Sequence, residues 1–195
     1  MSKYCIFGDS IVRGGGDPEF GGWTGRFLRE KELGSSEDRV YPLGVNGEPT
    51  SGLLLRLEVE CHARKPDVIL FGTGINDSRY YETHENPETT IDQFQNNLTE
   101  LIRIARMFTK KVYFVGLTRV DETKTRPIAW SPNKFYDNET ITKYDFLLRD
   151  FCVKENLSYI DVSGTLAIKD MPDGIHPHSS GYEKLFEHIR KFDLI

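Results

Sequence analysis

Five short runs of β-forming apolar residues recur along the chain, at residues 4–7, 40–45, 68–71, 112–115 and 157–162. None alternates apolar with polar as a strand with one wet face would, so each is expected to be buried on both sides. Helical patterns lie between them. The clearest runs through Ile91, Phe94, Leu98, Leu101, Ile102, Ala105 and Phe108, at spacings of three and four, with Thr90 and Gln93 placed as a capping box. Tyr144, Leu147, Leu148, Phe151 and Cys152 repeat the spacing. Tyr182, Leu185, Phe186 and Ile189 repeat it again behind Ser179 and Ser180. Strand and helix alternating to the end predict an α/β fold, a parallel sheet with helices on both faces. No internal repeat or linker divides the 195 residues, so a single domain over 1–195 is expected.

Charge and hydropathy exclude several classes of function. With 25 Lys and Arg against 30 Asp and Glu, the net charge of −5 offers no general attraction to phosphate backbones or anionic membranes. Nucleic acid is not an expected partner. The most apolar stretch, residues 68–71, is far short of the roughly 20 residues that span a bilayer, so no membrane insertion is expected. Residues 1–3 lead directly into the first apolar run without the core of a secretory signal, which reads as a cytoplasmic chain. Cys5, Cys61 and Cys152 have neither metal-ligand nor redox spacing and read as small buried hydrophobes.

In an open α/β sheet the ligand sits beyond the carboxyl ends of the strands, so the residues just after each run matter most. They are Gly8-Asp9-Ser10, Gly44-Val45-Asn46-Gly47, Gly74-Ile75-Asn76-Asp77 and Asp173-Gly174-Ile175-His176-Pro177. A serine is a weak nucleophile that needs a neighbouring base, which in turn needs an orienting group. Ser10, His176 and Asp173 supply those three types, and the three-residue spacing from Asp173 to His176 can bring carboxylate and imidazole together within one turn of chain. Acyl transfer also needs donors aimed at the developing oxyanion. The backbone N–H groups of Ser10 and Gly47 and the amide of Asn76 could provide three.

Taken together and in this order, the four blocks resemble the SGNH hydrolases, also called the GDSL esterase/lipase family. The resemblance runs from Tyr4 to Pro177. It implies a three-layer α/β/α sandwich with a five-stranded parallel sheet in flavodoxin-like order. It also implies Ser10 as nucleophile and oxyanion donor, Gly47 and Asn76 as further donors, His176 as base and Asp173 as its partner. The second block departs from the family's pattern, running Gly47-Glu48-Pro49-Thr50, which leaves Gly44 as a rival donor. His178, two residues after His176, reads as an exposed or capping imidazole.

The Gly-x-Ser-x-Gly elbow of the α/β-hydrolases is absent around Ser10. Gly14-Gly15-Gly16 lacks the Lys-Ser/Thr ending of a phosphate loop. Asp9, Asp77 and Asp173 with one Asn and one His complete no recognisable ligand set, so neither a metal nor another cofactor is expected. Tyr80, Tyr81, His84 and Trp130 are candidate walls of the substrate pocket. The polar stretch at residues 118–138 is a candidate lid or contact of a homo-oligomer. The expected activity is cofactor-free hydrolysis of small, short-acyl esters through an acyl-enzyme. Acyl transfer, thioester cleavage and noncatalytic ligand binding on the same fold are the alternatives.

Overall fold

The computed structural model describes residues 2–34 and 37–192. Along the chain run β1 (Lys3–Gly8), α1 (Ser10–Arg13), α2 (Gly22–Gly34), β2 (Arg39–Gly44), α3 (Thr50–Arg64) and β3 (Val68–Gly72). A short hairpin, β4 (Tyr80–Tyr81) and β5 (Thr83–Pro87), precedes α4 (Ile91–Ala105) and β6 (Val112–Val115). Then come α5 (Glu122–Thr125), β7 (Lys134–Phe135), α6 (Asn138–Lys154), β8 (Ser158–Ile160), a 3₁₀ turn (Ile168–Asp170) and α7 (Ser179–Ile189).

Five strands form one parallel sheet in the order β2-β1-β3-β6-β8. Counted within the sheet this is 2-1-3-4-5, the flavodoxin-like order. Side chains alternate between two apolar layers, as a pleated strand requires. Cys5, Phe7, Ile69 and Phe71 face a core shared with Leu53 and Leu57 of α3, Leu98 of α4 and Leu148 of α6. Tyr4, Ile6, Val68 and Leu70 face the opposite core, with Trp23 and Phe27 of α2 and Leu185 of α7. β1 and β3 are buried on both faces and so read as continuous apolar runs, whereas the edge strands β2 and β8 expose Arg39, Pro42 and Ser158. All three cysteines are buried and unpaired, and burial pushes the Cys5 thiol up to about 12.

The capping box of α4 forms: Thr90 Oγ1 accepts from the Gln93 N–H, and Gln93 Oε1 accepts from the Thr90 N–H at 2.9 Å. The last strand is shorter than its apolar run, because Asp161 bends the chain by accepting from Ser163 N–H at 2.9 Å. Residues 118–138 are not one long loop. They hold α5 and β7, and β7 joins a second, antiparallel sheet in the order β5-β4-β7. Among the described residues no helix is long and apolar enough to cross a membrane.

In register, β1, β2 and β3 end on Gly8, Gly44 and Gly72, three neighbours across the sheet. A Cβ on Gly44 would run into the Arg13 backbone nitrogen, and one on Gly72 into Val12. This row of glycines lets α1 lie directly on the strand ends, and α1 begins with Ser10.

Candidate active site

Ser10 opens α1, one residue after Asp9, whose side chain caps the helix by accepting from the Ile11 N–H at 2.8 Å. Asp9 is buried, and loss of water pushes its carboxyl up to about 7. On the far side of the chain, Asp173 and His176 share one turn. Asp173 Oδ1 accepts from the backbone N–H groups of Ile175, at 2.9 Å, and His176, at 2.7 Å. Its other oxygen, Oδ2, lies 2.7 Å from His176 Nδ1. Burial alone would raise the Asp173 carboxyl, but the bonds from His176 and the two backbone N–H groups hold it below its ordinary value. His176 Nε2 lies 2.7 Å from Ser10 Oγ. A carboxylate can only accept, so Nδ1 carries a proton toward Asp173, and neutral Nε2 is free to accept from the serine hydroxyl.

The turn carrying His176 is fixed from behind. Arg26 of α2 is buried and reaches Asp17 at 2.5 Å, Glu183 of α7 at 2.5 Å and Ser179 Oγ at 2.7 Å. It ties the segment after α1 to the helix that follows His176. His178 caps that helix, its Nδ1 accepting from the Gly181 N–H at 3.1 Å.

Asn76 follows β3 and is held by two groups that carry no motif of their own. Its Oδ1 accepts from the Tyr136 hydroxyl at 2.8 Å and from Arg79 Nη1 at 3.3 Å. A guanidinium has donors only, so the atom facing Arg79 must be the carbonyl oxygen and the NH₂ group points the other way. One of its hydrogens reaches Glu48 O at 3.3 Å, leaving the second for the cleft. Arg79 is itself fixed by Glu88 at 2.8 Å. Asp77, the neighbour of Asn76, accepts from the N–H of Thr50, at 3.0 Å, and from its hydroxyl, at 2.5 Å, and so anchors the start of α3.

Gly47 stands in the turn after β2 with φ +71°, the left-handed region that favours glycine. It lines the cleft, whereas Gly44 lies packed beneath α1. Among the described residues, no backbone or side-chain acceptor takes the N–H of Ser10 or of Gly47.

These groups meet in a cleft of about 510 Å³ at the carboxyl ends of the strands. Ser10, Gly47, Asn76, Trp130, Tyr136 and His176 all line it. The Trp130 ring is stacked toward the His176 ring with centroids 5.9 Å apart and is 55% exposed. Tyr80 and Tyr81 do not reach it. Tyr80 is buried in the small sheet between His84 and Phe135, and the Tyr81 hydroxyl bonds to Glu88. With His84, Tyr80 borders a separate depression next to α4 and α6. The β4 strand pairs on both edges, and that pairing turns the tyrosines away. Among the described residues no group of three or more His, Cys, Asp or Glu is gathered to hold a metal ion.

The model of the GDSL-like lipase/acylhydrolase family matches residues 6–184. The chain belongs to that family. A multidomain esterase of Ruminococcus flavefaciens is 30% identical over 125 residues, 62% of this chain and 14% of the relative. The chain thus spans about a seventh of the length of the curated relative it matches. Among solved structures, an acetylxylan esterase of Geobacillus stearothermophilus superposes with a TM-score of 0.75 at 20% identity, covering 100% of this chain and 96% of the other. An α/β hydrolase enzyme from the metagenome of Lake Arreo gives 0.73 at 19% identity, covering 97% and 94%. These likenesses establish the three-layer fold.

Proposed function

We propose that this domain hydrolyses short-acyl carboxylic esters through an acyl-enzyme on Ser10. The observation that carries the reading is the continuous relay from Ser10 Oγ to His176 Nε2 and from His176 Nδ1 to Asp173, 2.7 Å at each step. As Oγ attacks the ester carbonyl carbon, its proton moves to Nε2. The resulting imidazolium is stabilised by the Asp173 carboxylate. Negative charge gathers on the carbonyl oxygen, and the N–H groups of Ser10 and Gly47 and the Asn76 amide receive it. Collapse of the tetrahedral intermediate breaks the bond to the alcohol, which leaves with the proton held at Nε2. Water, activated by the same nitrogen, then attacks the acyl carbon and releases the acid, restoring Ser10.

Two further observations support a small acyl group. The apolar lining of the cleft consists of Ile75, Ile128 and Ile175, all almost fully buried in the core, and the exposed Trp130. Long chains would therefore gain little of the roughly 0.8 kcal/mol that each buried CH₂ provides. An acetylxylan esterase also shares the fold. The reading is tested with a fluorophosphonate probe and a series of p-nitrophenyl esters below their micelle concentrations. Labelling at Ser10 that disappears in Ser10→Ala is expected, with kcat/KM highest for acetyl and butyryl esters. An unlabelled wild type would remove the covalent mechanism, and a steady rise toward chains of about twelve carbons would remove the short-acyl preference.

A further inference from the structure

The charge of the cleft runs against the charge of the chain. Acidic residues outnumber basic ones overall, 30 to 25, yet no Asp or Glu lines the cleft among the described residues, while Arg13, Arg79 and Lys134 all do. Arg79 is committed, bonded to Glu88 and to Asn76. Arg13 and Lys134 make no ion pair or side-chain hydrogen bond at contact distance among the described residues, although the Glu88 carboxylate also feels the Lys134 charge. That contrasts with Arg26, Arg56, Arg64 and Arg106, each of which meets a carboxylate. The carboxylates around the rim are already taken. Asp173 faces His176, Glu48 pairs with Arg56 at 2.5 Å, and Glu88 is held by Arg79 and Tyr81.

Arg13 stands at the end of α1, three residues from Ser10, and Lys134 stands on β7, four residues beyond Trp130. The two cations thus come from different elements and line the same concave space, whose low-dielectric walls focus their field. We propose that the cleft selects esters whose alcohol portion carries an anionic group, a carboxylate or a phosphate. The inference rests on the ester hydrolase reading and extends it to the substrate. A short acyl group has no atoms to spare for a charge, so the anion belongs to the alcohol. The exposed Trp130 ring beside His176, which hands the proton to that alcohol, provides a flat apolar face for a ring-shaped one such as a sugar.

The test compares matched substrates that differ only in charge. In one arm a mono-O-acetylated methyl glucuronide is set against its neutral carboxamide. In the other, mono-O-acetylated glucose phosphate is set against mono-O-acetylated glucose. At low ionic strength, kcat/KM is expected to be about tenfold higher for the charged member of at least one pair. The arm that shows the preference identifies carboxylate or phosphate. Because Arg13 is exposed and Lys134 only half-buried, the ratio should fall toward one in 0.5 M salt. It should also approach one in the double variant Arg13→Gln/Lys134→Gln and drop below one in Lys134→Glu. A wild-type ratio at or below one in both arms overturns the proposal.

Calorimetric binding of the same intact esters to Ser10→Ala repeats the comparison without turnover. A wild type that binds the anionic ester more tightly yet cleaves neither would overturn the hydrolase reading and uphold the charge preference. An active enzyme indifferent to charge in both turnover and binding would overturn the charge preference alone.

Discussion

Two regions build the cleft, and they are held by different forces. One is the rim of the main sheet, where Ser10, Gly47 and Asn76 sit on tight turns directly after β1, β2 and β3. The other is the arch formed by residues 118–138 and the small β5-β4-β7 sheet, which contributes Trp130, Lys134 and Tyr136. The rim's geometry follows from β1 and β3, strands buried on both faces whose ends cannot shift without disturbing two cores, and from the edge strand β2 paired to β1. The arch joins one of those cores through Val120, Ile128 and Tyr136, and polar bonds fasten the rest of it. Asn138 Oδ1 accepts from Val120 N–H at 2.9 Å, Thr125 Oγ1 donates to Tyr136 O at 2.8 Å, and Asp121 N–H donates to Gly174 O at 2.8 Å. On the proposed mechanism, the chemistry falls to the rim and the choice of substrate to the arch. Tyr136 crosses the divide, since it belongs to the arch and holds a residue of the rim.

Substitutions can break or sharpen this division. The largest effects should fall on the relay: Ser10→Ala and His176→Ala should each lower kcat by about 10⁴-fold or more, and both together by little more than either, because the members act as a unit. Steady-state rates on p-nitrophenyl acetate decide it, and near-normal turnover by Ser10→Ala would falsify the covalent route. Next comes Asn76→Ala, expected to reduce kcat by roughly 10²- to 10³-fold with KM little changed, the scale of one oxyanion donor. A rise in KM with kcat preserved would move Asn76 from the chemistry to substrate binding.

Tyr136→Phe asks whether arch and rim are coupled. Removing the hydroxyl leaves Arg79 as the sole partner of Asn76 Oδ1, and one such bond contributes about 1 kcal/mol, so kcat should fall about fivefold. Trp130→Ala, confined to the arch, should act on KM, by a few-fold, and leave kcat close to wild type. If Trp130→Ala lowered kcat as strongly as Asn76→Ala, the two regions would not be separable in this way.

The subtlest test concerns stability. The buried Asp9 carboxyl, pushed up to about 7 by desolvation, binds its proton more tightly in the folded than in the unfolded chain, where the ordinary value is 3.8. Folding therefore takes up a proton between these values, so the stability Asp9 contributes is complete below about pH 4 and is lost as pH rises to about 7. Asp77, raised to about 6 by burial, acts in the same direction. Asp173, held below its ordinary value, acts in the opposite direction at the acid end. The difference between wild type and Asp9→Asn isolates the first group. In urea titrations, wild type should lose stability relative to the variant across pH 4 to 7, and a difference constant with pH would show that Asp9 does not titrate there.

How much of this was legible beforehand follows the same division. The five strands and helices α4, α6 and α7 could be read because a buried strand leaves an apolar run and a core-facing helix leaves a stripe. Ser10, Asn76, Asp173 and His176 were found because each follows a strand or sits in a self-contained turn. The small sheet left no such trace. Residues 83–87 of β5 are nearly all exposed and carry no alternation, and β4 and β7 are two residues each. Proximity in sequence then misled: Tyr80 and Tyr81 lie within five residues of Asn76, yet strand pairing turns them away, whereas Tyr136, sixty residues distant, is brought to its side chain. Arg13 and Lys134 were illegible because an unpaired cation looks like a paired one until its neighbours are known. Helix α3 hid for another reason. Leu55 and Val59 lie exposed on its outer face and blur the stripe made by Leu53, Leu57 and Cys61.

The stacking of Trp130 toward His176 also equips the molecule with its own optical reporter. The chain has two tryptophans, and the other, Trp23, is fully buried in the core beneath α2 and α7. Water-exposed indole emits at longer wavelength than buried indole, so the red edge of the fluorescence spectrum belongs to Trp130. Occupation of the cleft would displace water from the same ring and shift its emission to the blue. One spectrum, recorded against ligand, would report the filling of the cleft without a label.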